Sequence, residues 1–173
     1  LYPYIESKYR TLPFRIIAGH DTTAGFLNFY LYKDNPVFSA YISLAPEMAP
    51  EMETRVADRL AKISKPIYYY QATGEADLPE INEAATTLDA NIKAIPNPTF
   101  KYQNDTFQNA SHYSLVTKAI PSALYFIFDG YQPISMLEFQ KKIVTLDSGY
   151  TDYLVQKYDN LNTRLGLQMK PRL

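Results

Sequence analysis

The sequence contains no cysteine and no tryptophan among its 173 residues. The first absence excludes disulfides and thiolate chemistry, and it leaves the compartment open. No apolar run approaches the length needed to cross a bilayer, so direct membrane insertion is not expected. There is no Lys/Arg run and no heptad array. The formal net charge of -1 gives no bulk attraction to nucleic acid or to an anionic surface. Histidine is scarce as well: His20 and His112 are the two copies, so any imidazole chemistry rests on one of them.

What is present fits one ordinary domain with a real core, since 46% of residues are hydrophobic and 20% charged. Sixteen tyrosines set against no tryptophan is a skewed aromatic set, read here as packing. Apolar periodicity predicts helices over 2–11, 22–33, 47–63, 78–95 and 113–128, the last interrupted by Pro121. Runs of β-branched and aromatic residues predict strands over 14–18, 37–44, 67–72 and 99–102. Strand alternates with helix four times, which predicts an α/β fold with a parallel sheet and helical crossovers. Two further helical patterns, Met136-Phe139-Ile143 and the run from Tyr153 to Leu165, make residues 133–173 a helical extension of a domain spanning 1–132. The first strand would leave an apolar edge unpaired, which native sheets avoid. Leu1 stands where an initiator Met would be. The chain is therefore expected to be part of a longer polypeptide, with that edge covered by the remaining part of the chain or by a protein partner.

Chemistry concentrates at the ends of the predicted strands, where open α/β sheets place their sites. Gly19-His20-Asp21-Thr22-Thr23-Ala24-Gly25 joins the first strand to the first crossover helix. Strand, tight Gly-containing turn and helix form the context of a nucleophile elbow. The position that carries serine in that motif holds Asp21. The loop Thr73-Gly74-Glu75-Ala76-Asp77 follows the third strand, and Asn109-Ala110-Ser111-His112-Tyr113 follows the fourth. Nucleophile, acid and histidine in that chain order is the α/β-hydrolase order, with Asp77 preferred to Glu75 as the acid. His20 is read as structural. No metal ligand set and no cofactor motif is found, so none is expected.

Three blocks carry a resemblance. They are Arg15-Ile16-Ile17-Ala18-Gly19-His20, then Phe38 to Pro46 (Phe-Ser-Ala-Tyr-Ile-Ser-Leu-Ala-Pro), then Ser111-His112-Tyr113-Ser114-Leu115 with Ala119-Ile120-Pro121. Together they resemble the esterase family of α/β-hydrolases that includes the siderophore-type esterases, over roughly residues 4–133, the C-terminal half of such a domain. The resemblance implies an α/β-hydrolase-like parallel sheet with flanking helices and without its N-terminal strands. It also implies that Asp21, Asp77 and His112 occupy the nucleophile, acid and base positions, with the Thr22 backbone N–H as half of an oxyanion hole. A bacterial, exported or periplasmic setting is implied in the same way. Two departures stand out: Asp21 replaces serine, and Thr23 replaces the glycine two residues later.

A carboxylate offers histidine no hydroxyl proton to remove, so serine-type ester cleavage cannot run. The expectation is a catalytically inactive esterase-family domain with a binding or assembly role. The alternative is an active hydrolase in which Asp21 attacks saturated carbon and His112 activates water, as in dehalogenases and epoxide hydrolases with Gly-His-Asp elbows. Only residues 46–65 separate the second and third strands, room for one helix and no cap, and the tryptophan that commonly holds a halide is absent.

Overall fold

The computed structural model describes residues 1–170. In chain order the elements are α1 (Tyr2–Lys8), β1 (Ile16–His20), α2 (Thr22–Phe26), α3 (Asn28–Leu31), β2 (Ala40–Leu44), α4 (Met52–Ala61) and β3 (Ile67–Ala76). There follow α5 (Pro79–Lys93), β4 (Phe100–Ser111), α6 (Leu115–Ile127), α7 (Met136–Glu138), a π-helical turn (Phe139–Ile143) and α8 (Tyr150–Leu165). The chain divides into two compact units. Arg15–Ile127 holds the whole sheet, while Leu1–Phe14 groups with the residues from Phe128 onward. Helix α1 buries none of its residues, and the Phe14 ring packs on Phe128 at 6.2 Å. Within that smaller unit, Tyr153 and Lys157 of α8 both donate to Glu138 Oε1, at 2.8 and 2.7 Å.

In the larger unit the four strands are parallel and lie in the order β1-β2-β3-β4. Strand β2 is buried along its length and β3 over its first eight residues, which explains why both are rich in apolar and aromatic residues. Alternation along β3 sends its three consecutive tyrosines to opposite faces. Tyr69 enters the core with Leu31, Tyr41, Val56, Leu60, Leu88 and Ile92. Tyr68 and Tyr70 meet Phe126 of α6 at 5.7 and 6.1 Å. On α6 the buried residues are Leu115, Ala119, Ala123 and Ile127, one per turn, and the two alanines let the helix lie close to the sheet.

Three elements differ from expectation for identifiable reasons. The helix predicted over 22–33 is two short helices, α2 and α3, joined at Leu27. There Tyr30 N–H bonds the Leu27 carbonyl three residues back at 3.1 Å, a tighter turn than an α-helix makes. Strand β4 runs for 12 residues, because its pairing with β3 continues through Thr106 and Phe107 and carries polar residues that look like loop in sequence. Pro121 does not interrupt α6. It lies on the exposed side of the helix, as does Thr117 one turn earlier, so the hydrogen bond a proline cannot donate is lost at the surface rather than in the core.

Asn28 is fully buried and ties three elements together. It accepts from Tyr69 Oη at 2.8 Å and donates to Met52 Sδ at 3.4 Å. Burial pushes the Tyr69 hydroxyl well above the usual phenol range, with its hydrogen-bond contacts with Ser43 and Asn28 opposing that shift only in part, so it remains a neutral donor. Tyr69→Phe leaves Asn28 Oδ1 buried and unpaired. It is expected to cost about 2 kcal/mol of stability in urea unfolding, and a loss of only a few tenths would contradict this account of the joint.

Candidate functional site

Strand β1 ends at His20, and the chain turns at once into α2 through Asp21. Asp21 adopts φ 60° and ψ -130°, a conformation that L-residues rarely enter and that costs of order 1–3 kcal/mol. Its surroundings hold it there. Asp21 N–H donates to the Leu44 carbonyl at 3.0 Å, and the Asp21 carbonyl accepts from Ala24 at 2.9 Å and from Gly25 and Glu47 at 3.2 Å. The corner is tight on both sides. A Cβ on Gly19 would lie 2.4 Å from the Thr23 carbonyl oxygen, and one on Gly25 would lie 1.9 Å from that of Glu47. Glycine is therefore required at both positions.

Thr23, which replaces the glycine expected in the motif, causes no crowding. Its hydroxyl donates to the His20 carbonyl at 2.7 Å and accepts from the His20 N–H at 3.0 Å. The close approach that glycine permits is made at Gly25 instead. Thr22 is the first residue of α2, so its backbone N–H is among those that a helix start leaves without an intrahelical acceptor. The Thr22 hydroxyl donates to Glu47 Oε2 at 2.6 Å.

The structure brings Asp21, Asp77 and His112 together. Asp77 follows the end of β3 and His112 the end of β4, so the ends of β1, β3 and β4, on the same edge of the parallel sheet, supply the three side chains. Asp77 Oδ1 lies 2.8 Å from His112 Nδ1 and also accepts the Leu78 N–H at 2.8 Å. The Asp77 side chain is wholly buried, and its Oδ2 has no hydrogen-bond partner among the described residues. Because a carboxylate accepts only, the proton at this contact sits on Nδ1. His112 Nε2 then faces Asp21, with Oδ2 3.8 Å away, too far for a hydrogen bond. Glu75 lies elsewhere and accepts the Asn109 N–H at 3.1 Å.

His20 holds the loop that carries His112. Its Nε2 donates to the His112 carbonyl at 3.0 Å, and the two rings lie 4.4 Å apart. A contribution that sequence reasoning missed comes from residues 45–51. These were expected to lie largely in a helix starting at 47. They form a loop instead, with positive φ at Ala45 and Glu51, and deliver Glu47 to the elbow. The signal was Ala45-Pro46 with Pro50 just beyond, since each proline biases its predecessor away from helix. Among the described residues, no group of three or more His, Asp or Glu side chains could hold a metal ion, and no helix is long and apolar enough to cross a membrane.

No protein-family model matches the sequence, and no curated protein matches it significantly. Solved structures do match. An uncharacterised protein from Capnocytophaga ochracea is 26% identical with a TM-score of 0.89, over 99% of this chain and 49% of that one. An IroE-like serine hydrolase from Shewanella oneidensis is 18% identical with a TM-score of 0.78, over 98% and 54%. The siderophore hydrolase EstA from Aspergillus nidulans is 16% identical with a TM-score of 0.55, over 73% and 52%. The chain thus spans about half the length of these proteins, and its fold is α/β-hydrolase-like and esterase-like.

The geometry at Gly25 predicts a large stability loss for Gly25→Ala, about 3 kcal/mol. The added Cβ meets backbone rather than a mobile side chain. Urea unfolding measures this, and a loss under about 0.5 kcal/mol would show that the elbow and the 45–51 loop move apart freely.

Proposed function

We propose that this hydrolase-fold domain does not cleave esters and serves a binding or assembly role through the face that carries Asp21. The observation that carries the reading is the carboxylate at the elbow. Ester cleavage by this arrangement begins when histidine takes the proton of a hydroxyl. Asp21 has no such proton at neutral pH, and its attack on an ester carbonyl would give a mixed anhydride, a poor route to products. The group facing His112 Nε2 is an anion at 3.8 Å, and the opposite ring nitrogen faces a second carboxylate, Asp77, at 2.8 Å. An imidazole flanked in this way faces carboxylates on both sides and no hydroxyl. Strand β1 borders the sheet with a partner on one side only. That supports completion of the sheet by a protein partner or by the rest of a longer chain.

A second reading is favoured by one observation: the Asp21 side chain is 46% exposed, as a nucleophile must be. In that reaction the Asp21 oxygen attacks a saturated carbon and forms an alkyl ester, while halide or an epoxide oxygen leaves. Water deprotonated by His112 then attacks the ester carbonyl and releases the alcohol, returning the carboxylate. Against it, α4 is the one helix between β2 and β3, so no cap is inserted there to enclose a substrate.

The direct test compares turnover of p-nitrophenyl acetate by the natural chain and by His112→Ala. Equal rates are expected, and turnover that depends on His112 would overturn the proposal. A second expectation follows from the intact His112–Asp77 pair. Asp21→Ser should take a fluorophosphonate label that the natural chain does not, and adding His112→Ala should abolish the labelling. An unlabelled Asp21→Ser chain would show that more than the hydroxyl has been lost.

A further inference from the structure

Beside the elbow lies a cleft of about 360 Å³ that no part of the reading above uses. Its floor and walls include Phe26, Phe29, Met48 and Met52, and its ionisable lining residue is Glu47. Apolar walls with few polar groups mark small-molecule sites, whose volumes start at about 300 Å³. Phe26 and Phe29 are 57% and 46% exposed, and their ring centroids lie 5.8 Å apart with the planes inclined at 51°. Two large aromatic side chains are thus left partly in water at the same place.

The chemistry of the lining selects the occupant. Glu47 is exposed and fixed in place, because its backbone N–H bonds the Asp21 carbonyl at 3.2 Å and its Oε2 accepts the Thr22 hydroxyl at 2.6 Å. No lysine or arginine lines the cleft. The nearest other charge on the elbow, Asp21, has the same sign. An anion entering here would desolvate against carboxylate, whereas a cation gains a charge-assisted hydrogen bond and the faces of two phenyl rings. The methionine thioethers suit an apolar body of irregular shape.

We infer that this cleft binds a small organic ammonium ion, its charged head at Glu47 and its aromatic or branched apolar body against Phe26, Phe29 and Met48. The inference rests on the binding role proposed above and gives that role a ligand class. It does not depend on whether Asp21 is inert.

Calorimetric titration with phenethylammonium, phenethyl alcohol and phenylacetate tests it, because the three probes share a phenyl body and differ in charge. The ammonium ion is expected to bind roughly tenfold more tightly than the alcohol, and phenylacetate more weakly than either. Glu47→Gln keeps an acceptor for Thr22 and should erase the ammonium advantage while leaving the alcohol unchanged. Phe29→Ala should weaken both. Phenylacetate binding as tightly as the ammonium ion would overturn the inference, as would an ammonium advantage that survives Glu47→Gln. Absence of saturable binding by all three probes would also overturn it and leave the cleft to a polypeptide. Ester turnover is measured on the same samples: turnover that depends on His112 together with Glu47-dependent ammonium binding would end the proposal of an inactive domain and keep this one.

Discussion

Asp21 keeps its positive φ because backbone hydrogen bonds to β2, α2 and the 45–51 loop all converge on its N–H and carbonyl, in the two peptide units that flank its Cα. That convergence decides where everything else in the site goes. It ends β1, starts α2, and brings Glu47 within reach of Thr22. It also aims the Asp21 side chain at the strand ends from which Asp77 and His112 project. Glycine at positions 19 and 25 lets the two sides of the corner approach, and Thr23 closes it with a hydroxyl that bonds both polar groups of the His20 backbone. Strain of this kind persists only where surrounding contacts impose it, and here those contacts are backbone-to-backbone and indifferent to the side chain at position 21.

The indifference means that the rest of the site does not depend on which side chain stands at position 21. The Asp77–His112 hydrogen bond, the His20 contact with the His112 backbone and the free N–H at the start of α2 are each built without reference to residue 21. The Asp21 carboxylate sets the electrostatics of the face, with one oxygen 3.8 Å from His112 Nε2. With Glu47 at the adjoining cleft, the exposed part of the face becomes a surface suited to cations. Fold and function separate at this point: the fold is α/β-hydrolase-like, and the carboxylates of Asp21 and Glu47 set the chemistry of this face.

Much of this was legible in the sequence because the site uses short, local signals. The elbow reads directly from Gly19 to Gly25, the four strands from their β-branched and aromatic runs, and Asp77 and His112 from their places after successive strands. The missed features depend on tertiary partners. Strand β4 looks like loop because Gln103 to Thr106 are polar, and only pairing with β3 makes them a strand. Pro121 reads as a break, and the packing of Leu115, Ala119, Ala123 and Ile127 holds the helix together through it. The joint between α2 and α3 follows from Asn28, whose burial beside Tyr69 no local pattern announces. Glu47 and its cleft were hidden because a helical pattern covered a segment that Pro46, Pro50 and two positive-φ residues turn into loop.

The central claim is that the Asp21 carboxylate is an inert charge facing His112. Oxygen-isotope labelling tests it most directly. The chain is incubated with alkyl halides and epoxides in oxygen-18 water, and the peptide carrying Asp21 is weighed by mass spectrometry. An inert carboxylate predicts an unchanged peptide mass. Heavy oxygen in Asp21 that disappears in His112→Ala would mean that the carboxylate forms an ester and is hydrolysed, and would contradict the account.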